Sequence, residues 1–156
     1  VLDHSVKDRI PLEEEITFLR HYLQLEAMRF EDGLSFSVDA EPALLDDDHL
    51  VPALIVQPFV ENAVWHGLAP KQQDRLLRVA FRSQGDRLVC VVEDNGVGRQ
   101  AAPKRAHQDG SQSLGVQLTN ERLQLLAYKL GDSGRVTFTD LEKGGAAAGT
   151  RVEILL

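Results

Sequence analysis

The chain has 156 residues, enough for one domain with a real core, and its 43% hydrophobic and 26% charged residues make an ordinary globular balance. A net charge of −7 argues against a general nucleic-acid or anionic-membrane surface, which needs a basic face. The single cysteine, Cys90, has no internal disulfide partner and falls in the apolar run "LVCVV", which predicts a small core residue in a reducing compartment. No run approaches the roughly 20 apolar residues of a membrane span, and no stretch of these residues reads as a signal peptide. Val1 stands in mid-pattern, so the chain reads as a piece of something longer.

"PLEEEITFLRHYLQLEAMRF" predicts a helix over about residues 12–30, with acids in its first turn and Leu12, Ile16, Leu19 and Leu23 at helical spacing. "LSFSVDA" (34–40) alternates apolar and polar and predicts a strand. "DDDHLVPALIVQPFVENAVWHG" predicts a second helix, opened by the aspartates, offset at Pro58, running to about His66 and stopped by Gly67. Strands follow near 75–83 and 87–94, joined by a turn at Gln84-Gly85-Asp86. "SLGVQLTNERLQLLAYKLG" predicts a further helix; "GRVTFTDL" and "GTRVEILL" predict a closing hairpin with "EKGGAAAG" as a flexible connection. The order α-β-α-β-β-loop-α-β-β predicts an α+β two-layer sandwich, with a mixed, mainly antiparallel sheet and helices on one face.

Residues 99–112, "RQAAPKRAHQDGSQ", contain no large apolar side chain and carry net positive charge within an acidic protein. Alone they read as a solvated linker, yet both flanks carry chemistry. In "EDNGVG", Asp94 puts a carboxylate where a strand ends, and Gly96 and Gly98 strip side chains from the backbone beyond it, so that a flat or charged ligand can approach. In "SLGVQLTNERL", Gly115 stands at a helix start, where free N–H groups suit phosphate oxygens. A further oddity is "QPFVENAVWHG", which sets Glu61 and Asn62 inside an apolar helix; helical spacing turns Val60, Ala63, Val64 and Gly67 inward and leaves those two facing out.

These boxes, in this order and followed by Gly149-Thr150, resemble the gyrase/chaperone/histidine-kinase/MutL ATPases, the fold known as Bergerat-type. The finer resemblance is to the LytS-like sensor histidine kinases, through "PLEEEITFLRHYLQLEAMRFEDGLSFSVD", "QPFVENAVWHG" and "NERLQLL". The resemblance implies an ATP-binding catalytic domain over 31–156, with 1–30 as the connection from a phosphoacceptor segment. It implies ATP and Mg²⁺ as cofactors, with Asn62 on the Mg²⁺ that bridges the phosphates. Asp94 would accept a hydrogen bond from the adenine amine, with Thr150 supporting that contact through water. Gly96 and Gly98 would let base and ribose lie against the backbone, and Ser113, Leu114 and Gly115 would close the loop as a lid. Glu61 would orient water or magnesium. Related ATPases carry their hydrolytic base four residues before the asparagine; here that position is Pro58, which implies poor hydrolysis.

Three positions depart from the pattern. Trp65 replaces a basic residue that reaches the phosphates, leaving that charge to His66 or the lid; Ser113 replaces a glycine; Leu118 replaces a second asparagine. Trp65 follows Asn62 by three residues, so helical spacing puts both on roughly one face and the indole near the phosphates or lid, against the alternative of a core tryptophan at the helix end. No histidine among His4, His21, His49, His66 and His107 has the Pro-His-Phe surroundings of the family's phosphoacceptor. The implied protein is therefore the phosphodonor half of a sensor kinase in two-component signalling. Its implied partners are the phosphoacceptor helices of the same kinase and a response regulator, with a homodimeric full-length protein anchored in the inner membrane and this domain in the cytoplasm. A non-enzymatic, nucleotide-responsive binding module is the alternative; an ATPase of the gyrase or MutL kind is disfavoured by Pro58 and the short chain.

Overall fold

The computed structural model describes residues 9–46, 48–53, 55–99 and 135–156. The expected lid and the helix predicted from Ser113 lie outside the described residues, as do Ser113, Leu114 and Gly115 themselves.

The helically spaced leucines are buried together, because helix α1 (Leu12–Ala27) turns Leu12, Ile16, Leu19 and Leu23 into the core. Pro11 precedes α1 and supplies no side-chain cap, but Glu13, Glu14 and Glu15 occupy the first turn, where negative charge suits the helix dipole. The Leu12 N–H donates to the His49 carbonyl at 2.9 Å. That bond extends a small antiparallel ribbon formed by β1 (Arg9–Pro11) and β3 (Leu50–Pro52). Arg20 fastens α1 to the main sheet through two bonds to the Val38 carbonyl, the shorter at 2.7 Å.

The main sheet has five strands in the order β2-β4-β5-β7-β6. Their ranges are Ser35–Ala40 (β2), Leu76–Gln84 (β4), Arg87–Asp94 (β5), Arg135–Lys143 (β6) and Ala146–Leu155 (β7). β2 pairs with β4 in parallel and every other pairing is antiparallel. This is the mixed, mainly antiparallel α+β sandwich that the element order predicts. Alternation sorts the faces: Leu77, Val79 and Phe81 of β4 are buried while Arg78 and Arg82 are exposed. The buried face, with Cys90, Val92, Val152 and Ile154, packs on Leu19, Leu23, Phe59 and Val64 from the helices. The other face carries charge across strands, with Arg151 on Glu93 at 3.0 Å and Arg82 near Glu153 at 3.8 Å.

Three local expectations are corrected. The aspartate run does not open the second long helix: a short α2 (Pro42–Asp46) ends there, β3 intervenes, and the helix carrying Asn62, α3, spans only Gln57–Asn62. The cause is Pro58, which lacks an N–H and crowds the carbonyl four residues back, so it is accommodated in the first turn of a helix and not in its middle. Gly67 does not stop the helix either. The backbone widens into a π turn over Ala63–Leu68, closed by the Ala69 N–H donating to the Val64 carbonyl at 2.7 Å. Finally, "EKGGAAAG" is mostly strand, because β6 runs to Lys143 and β7 starts at Ala146, leaving Gly144 and Gly145 as a tight turn.

Candidate functional site

β5 ends at Asp94, and the carboxylate there is 4% exposed. Its register partner on β7 is Thr150, itself buried. Burial is the main influence on Asp94 and pushes its pKa up from 3.8 to about 6; backbone hydrogen bonds from Gly96 and Thr150 pull the other way, Glu93 adds to the rise and Lys71 opposes it. The Gly96 N–H donates to Asp94 Oδ1 at 2.8 Å. Asp94 is thus a desolvated acceptor at a strand end, with part of its hydrogen-bonding capacity left for a ligand.

Around it the backbone is bare for reasons internal to the fold. A Cβ on Gly67 would lie 2.7 Å from Asp94 Oδ1. One on Gly96 would run into the Gly67 carbonyl, and one on Gly149, where φ is +125°, would overlap the Asp94 carbonyl. The Val97 N–H donates to the Gly67 carbonyl at 2.9 Å, so the π turn and the glycine turn are stitched together. Gly98 adopts a φ of +83°, and a Cβ there would stand 3.1 Å from Ala147. Asn95 locks the same turn to the sheet: its Oδ1 accepts from the Leu76 N–H at 2.8 Å, and its Nδ2 donates to the Asp74 carbonyl at 2.8 Å. Lys71 Nζ reaches the Asn95 carbonyl at 3.0 Å.

Helix α3 supplies the other candidate groups. Asn62 is half-buried at its last position, and Glu61 is half-buried beside it, accepting from Gln57 Nε2 at 3.0 Å. Pro58 lies in the first turn, so the position four before Asn62 offers no base. His66, in the π turn, is half-buried, and burial lowers its pKa, which favours the neutral imidazole at pH 7. Trp65 is 44% exposed and is therefore not a core residue. It leans on the segment just after α1, with the Arg29 guanidinium 5.8 Å from its ring centre and the Phe30 ring 6.4 Å away. The backbone widens into the π turn just after Asn62, and within it Trp65 meets Arg29 and Phe30.

No protein-family model matches the chain. Among curated proteins it is 31% identical over 125 residues to the sensor histidine kinase YesM of Bacillus subtilis, covering 78% of this chain and 20% of that protein. The sensor protein LytS of Oceanobacillus iheyensis is 28% identical over 141 residues, covering 86% of this chain and 24% of that protein. Over most of its length the chain has LytS/YesM-type sensor histidine kinases as its homologues. It spans about a fifth to a quarter of the length of these curated relatives. Solved structures agree on the fold. The mycobacterial sensor histidine kinase MprB superposes with a TM-score of 0.60 at 19% identity, covering 95% of each chain. The histidine kinase domain of the Erythrobacter litoralis EL346 blue-light activated kinase gives 0.58 at 20% identity, over 94% of this chain and 61% of that one.

For this sensor-kinase homologue, sequence reasoning places Asp94, Gly96, Gly98 and Thr150 together, and the fold brings them to one strand end. It misses Gly67, Lys71 and Asn95 as parts of the same constellation and takes Gly149 only as the residue that leads into Thr150. The available signals are the Asn-Gly step after Asp94 and the glycine just before Thr150. Gly67 carries no such signal, since a glycine after a helical run reads as a stop. Among the described residues no helix is long and apolar enough to cross a membrane.

Proposed function

We propose that this chain binds Mg-ATP between α3, the Asp94–Gly98 turn and the start of β7, and donates the γ-phosphate to a histidine on the phosphoacceptor helices of its own kinase. The observation that carries this reading is the buried Asp94 carboxylate at a strand end walled by glycines. A carboxylate there selects adenine, because its exocyclic amine donates a hydrogen bond where guanine presents a carbonyl. Thr150, in register with Asp94, supports the contact through water, and Gly96 and Gly98 leave the backbone open to base and ribose. Among the described residues no three His, Cys, Asp or Glu side chains gather as a metal site. The neutral Asn62 amide oxygen would hold a Mg²⁺ that arrives with the phosphates, and the ion would supply charge neutralisation there. Glu61 orients water or that ion. A neutral His66 provides a hydrogen bond and little charge, leaving most phosphate neutralisation to Mg²⁺ and to the lid segment with Ser113, Leu114 and Gly115.

On this reading catalysis is positioning and charge neutralisation, and Pro58 keeps water from being activated. Residues 1–30 connect to the phosphoacceptor segment and 31–156 form the ATP domain. A response regulator receives the phosphoryl group downstream, and the full-length kinase is a membrane-anchored homodimer with this domain in the cytoplasm. The test is phosphotransfer from γ-labelled ATP once a phosphoacceptor segment is joined to the chain, with acid-labile, base-stable label expected on its histidine. The placement of Trp65 against α1, where a basic residue would serve the phosphates, favours a second reading as a nucleotide-responsive binding module. ATP binding without any transfer in that experiment would select it.

A further inference from the structure

Helix α3 has six residues and continues into a single π turn, a segment too short to hold its own shape. The direction in which Asn62 points is therefore set by what packs on either side. The inner side is core, through Phe59, Val60 and Val64. On the other side stand residues just past the end of α1. Arg29 and Phe30 flank the Trp65 indole. Tyr22, one α1 turn earlier than Glu26, lies close enough to Trp65 for the indole to lower the phenol pKa. Burial, then Glu26, then Glu61 push the Tyr22 pKa up to about 12, so the phenol stays protonated between a carboxylate of α1 and one of α3.

The same end of α1 also touches the base side of the site, by a different route. The Arg75 guanidinium lies 4.5 Å from the Phe30 ring centre. Arg75 Nε donates to the Leu68 carbonyl at 3.0 Å, and its Nη2 donates to the Lys71 carbonyl. Lys71 holds the Asn95 carbonyl, next to Asp94. The two routes differ in what they can move. Asp94 is held between β4 and β7 of the main sheet, whereas Asn62 rides on a short helix that continues into the π turn carrying Trp65.

We propose that Tyr22 and Trp65 are positioning residues for the metal–phosphate end of the nucleotide: the end of α1 clasps the Trp65 indole and thereby fixes the register of α3 in which Asn62 meets its ligand. This rests on the Mg-ATP reading above. It assigns a function to the tryptophan that the family pattern would replace by a basic residue, and it separates two halves of one site. The adenine half belongs to the sheet, and the phosphate half answers to α1.

The test uses Mg-ATP and metal-free adenosine, titrated by calorimetry into the wild type, Tyr22→Phe, Trp65→Phe and the double variant, with thermal unfolding as the folding control. Each single variant keeps an aromatic ring and removes polar hydrogen-bonding capacity. Each is expected to weaken Mg-ATP by about 3- to 10-fold while adenosine stays within about twofold, and the double variant should be no weaker than the weaker single, since both remove one contact. Unchanged Mg-ATP affinity, equal weakening of Mg-ATP and adenosine, or effects that multiply in the double variant would each overturn the proposal. A second readout needs no variant. Trp65 is the chain's single tryptophan, so saturating Mg-ATP should shift its emission and saturating adenosine should not. An emission spectrum indifferent to both overturns the clasp, whereas a wild type that binds neither ligand overturns the nucleotide reading itself and the clasp with it.

Discussion

Gly67 and Asp94 meet with no side chain between them: a methyl group on Gly67 would sit 2.7 Å from Asp94 Oδ1. The contact joins the π turn after Asn62 to the end of β5, so it sets the distance between the two halves of the proposed site. Gly67→Ala should therefore cost about 1–3 kcal/mol of stability, as overpacking does, and weaken ATP more than tenfold by displacing the carboxylate. Unfolding midpoints and ATP titrations measure both. An alanine variant with wild-type affinity would mean the carboxylate can move aside without consequence.

Gly149→Ala should be the more damaging of the two. At Gly149 φ is +125° and the obstructing atom is the Asp94 backbone carbonyl, which cannot rotate away as a side chain can. A loss of about 3 kcal/mol or more is expected, visible as a lowered midpoint. A midpoint close to that of the wild type would show that the entry to β7 relaxes freely.

The raised pKa of Asp94 gives two pH dependences of opposite sense. Its folded value, about 6, exceeds the unfolded 3.8, so the folded state holds this proton more tightly. The stability from this group is full below about pH 3.8 and is lost as pH rises through about 6, amounting to about 2–3 kcal/mol. Asp94→Asn removes that loss, so the wild type should fall in stability relative to the variant between about pH 3.8 and about pH 6. Nucleotide affinity should run the other way, because the ionised carboxylate is the better acceptor: ATP binding should weaken as pH drops below about 6. Parallel stability curves for wild type and variant would remove Asp94 as the titrating group.

Self-phosphorylation supplies a negative expectation. None of the five histidines has Pro-His-Phe surroundings, and His66 is half-buried in the π turn. Incubating the chain with γ-labelled ATP should give no acid-labile, base-stable label. Label on any of the five would contradict the proposed division of labour between donor and acceptor.

What the sequence makes legible is what local pattern encodes. Leu12, Ile16, Leu19 and Leu23 declare the buried side of α1, alternation in β4 separates Leu77, Val79 and Phe81 from Arg78 and Arg82, and Asp94 stands out as a carboxylate at a strand end. What it hides depends on tertiary approach. Gly67 reads as a helix stop because a glycine after a helical run normally is one, and only the neighbouring Asp94 carboxylate gives its other reason. A π turn has no residue signature, so the widening of the backbone after Asn62 could not be read from the sequence. The three aspartates resemble a helix start, yet Pro58 decides where the helix can begin. The small residues of "EKGGAAAG" look flexible, although a tight turn at Gly144-Gly145 lets most of them pair as strand. Ser113, Leu114 and Gly115 lie outside the described residues.

The central claim is that Asp94 selects adenine, and the most direct measurement is calorimetric titration of Mg-ATP and Mg-GTP into the wild type and Asp94→Asn. A hydrogen bond to a charged, buried acceptor is worth about 1.5–3 kcal/mol, so GTP should bind the wild type about 10- to 150-fold more weakly than ATP. Asp94→Asn should weaken ATP by a similar factor while its unfolding midpoint shows an intact fold. Equal binding of ATP and GTP by the wild type, or undiminished ATP binding by a folded Asp94→Asn, would contradict the account.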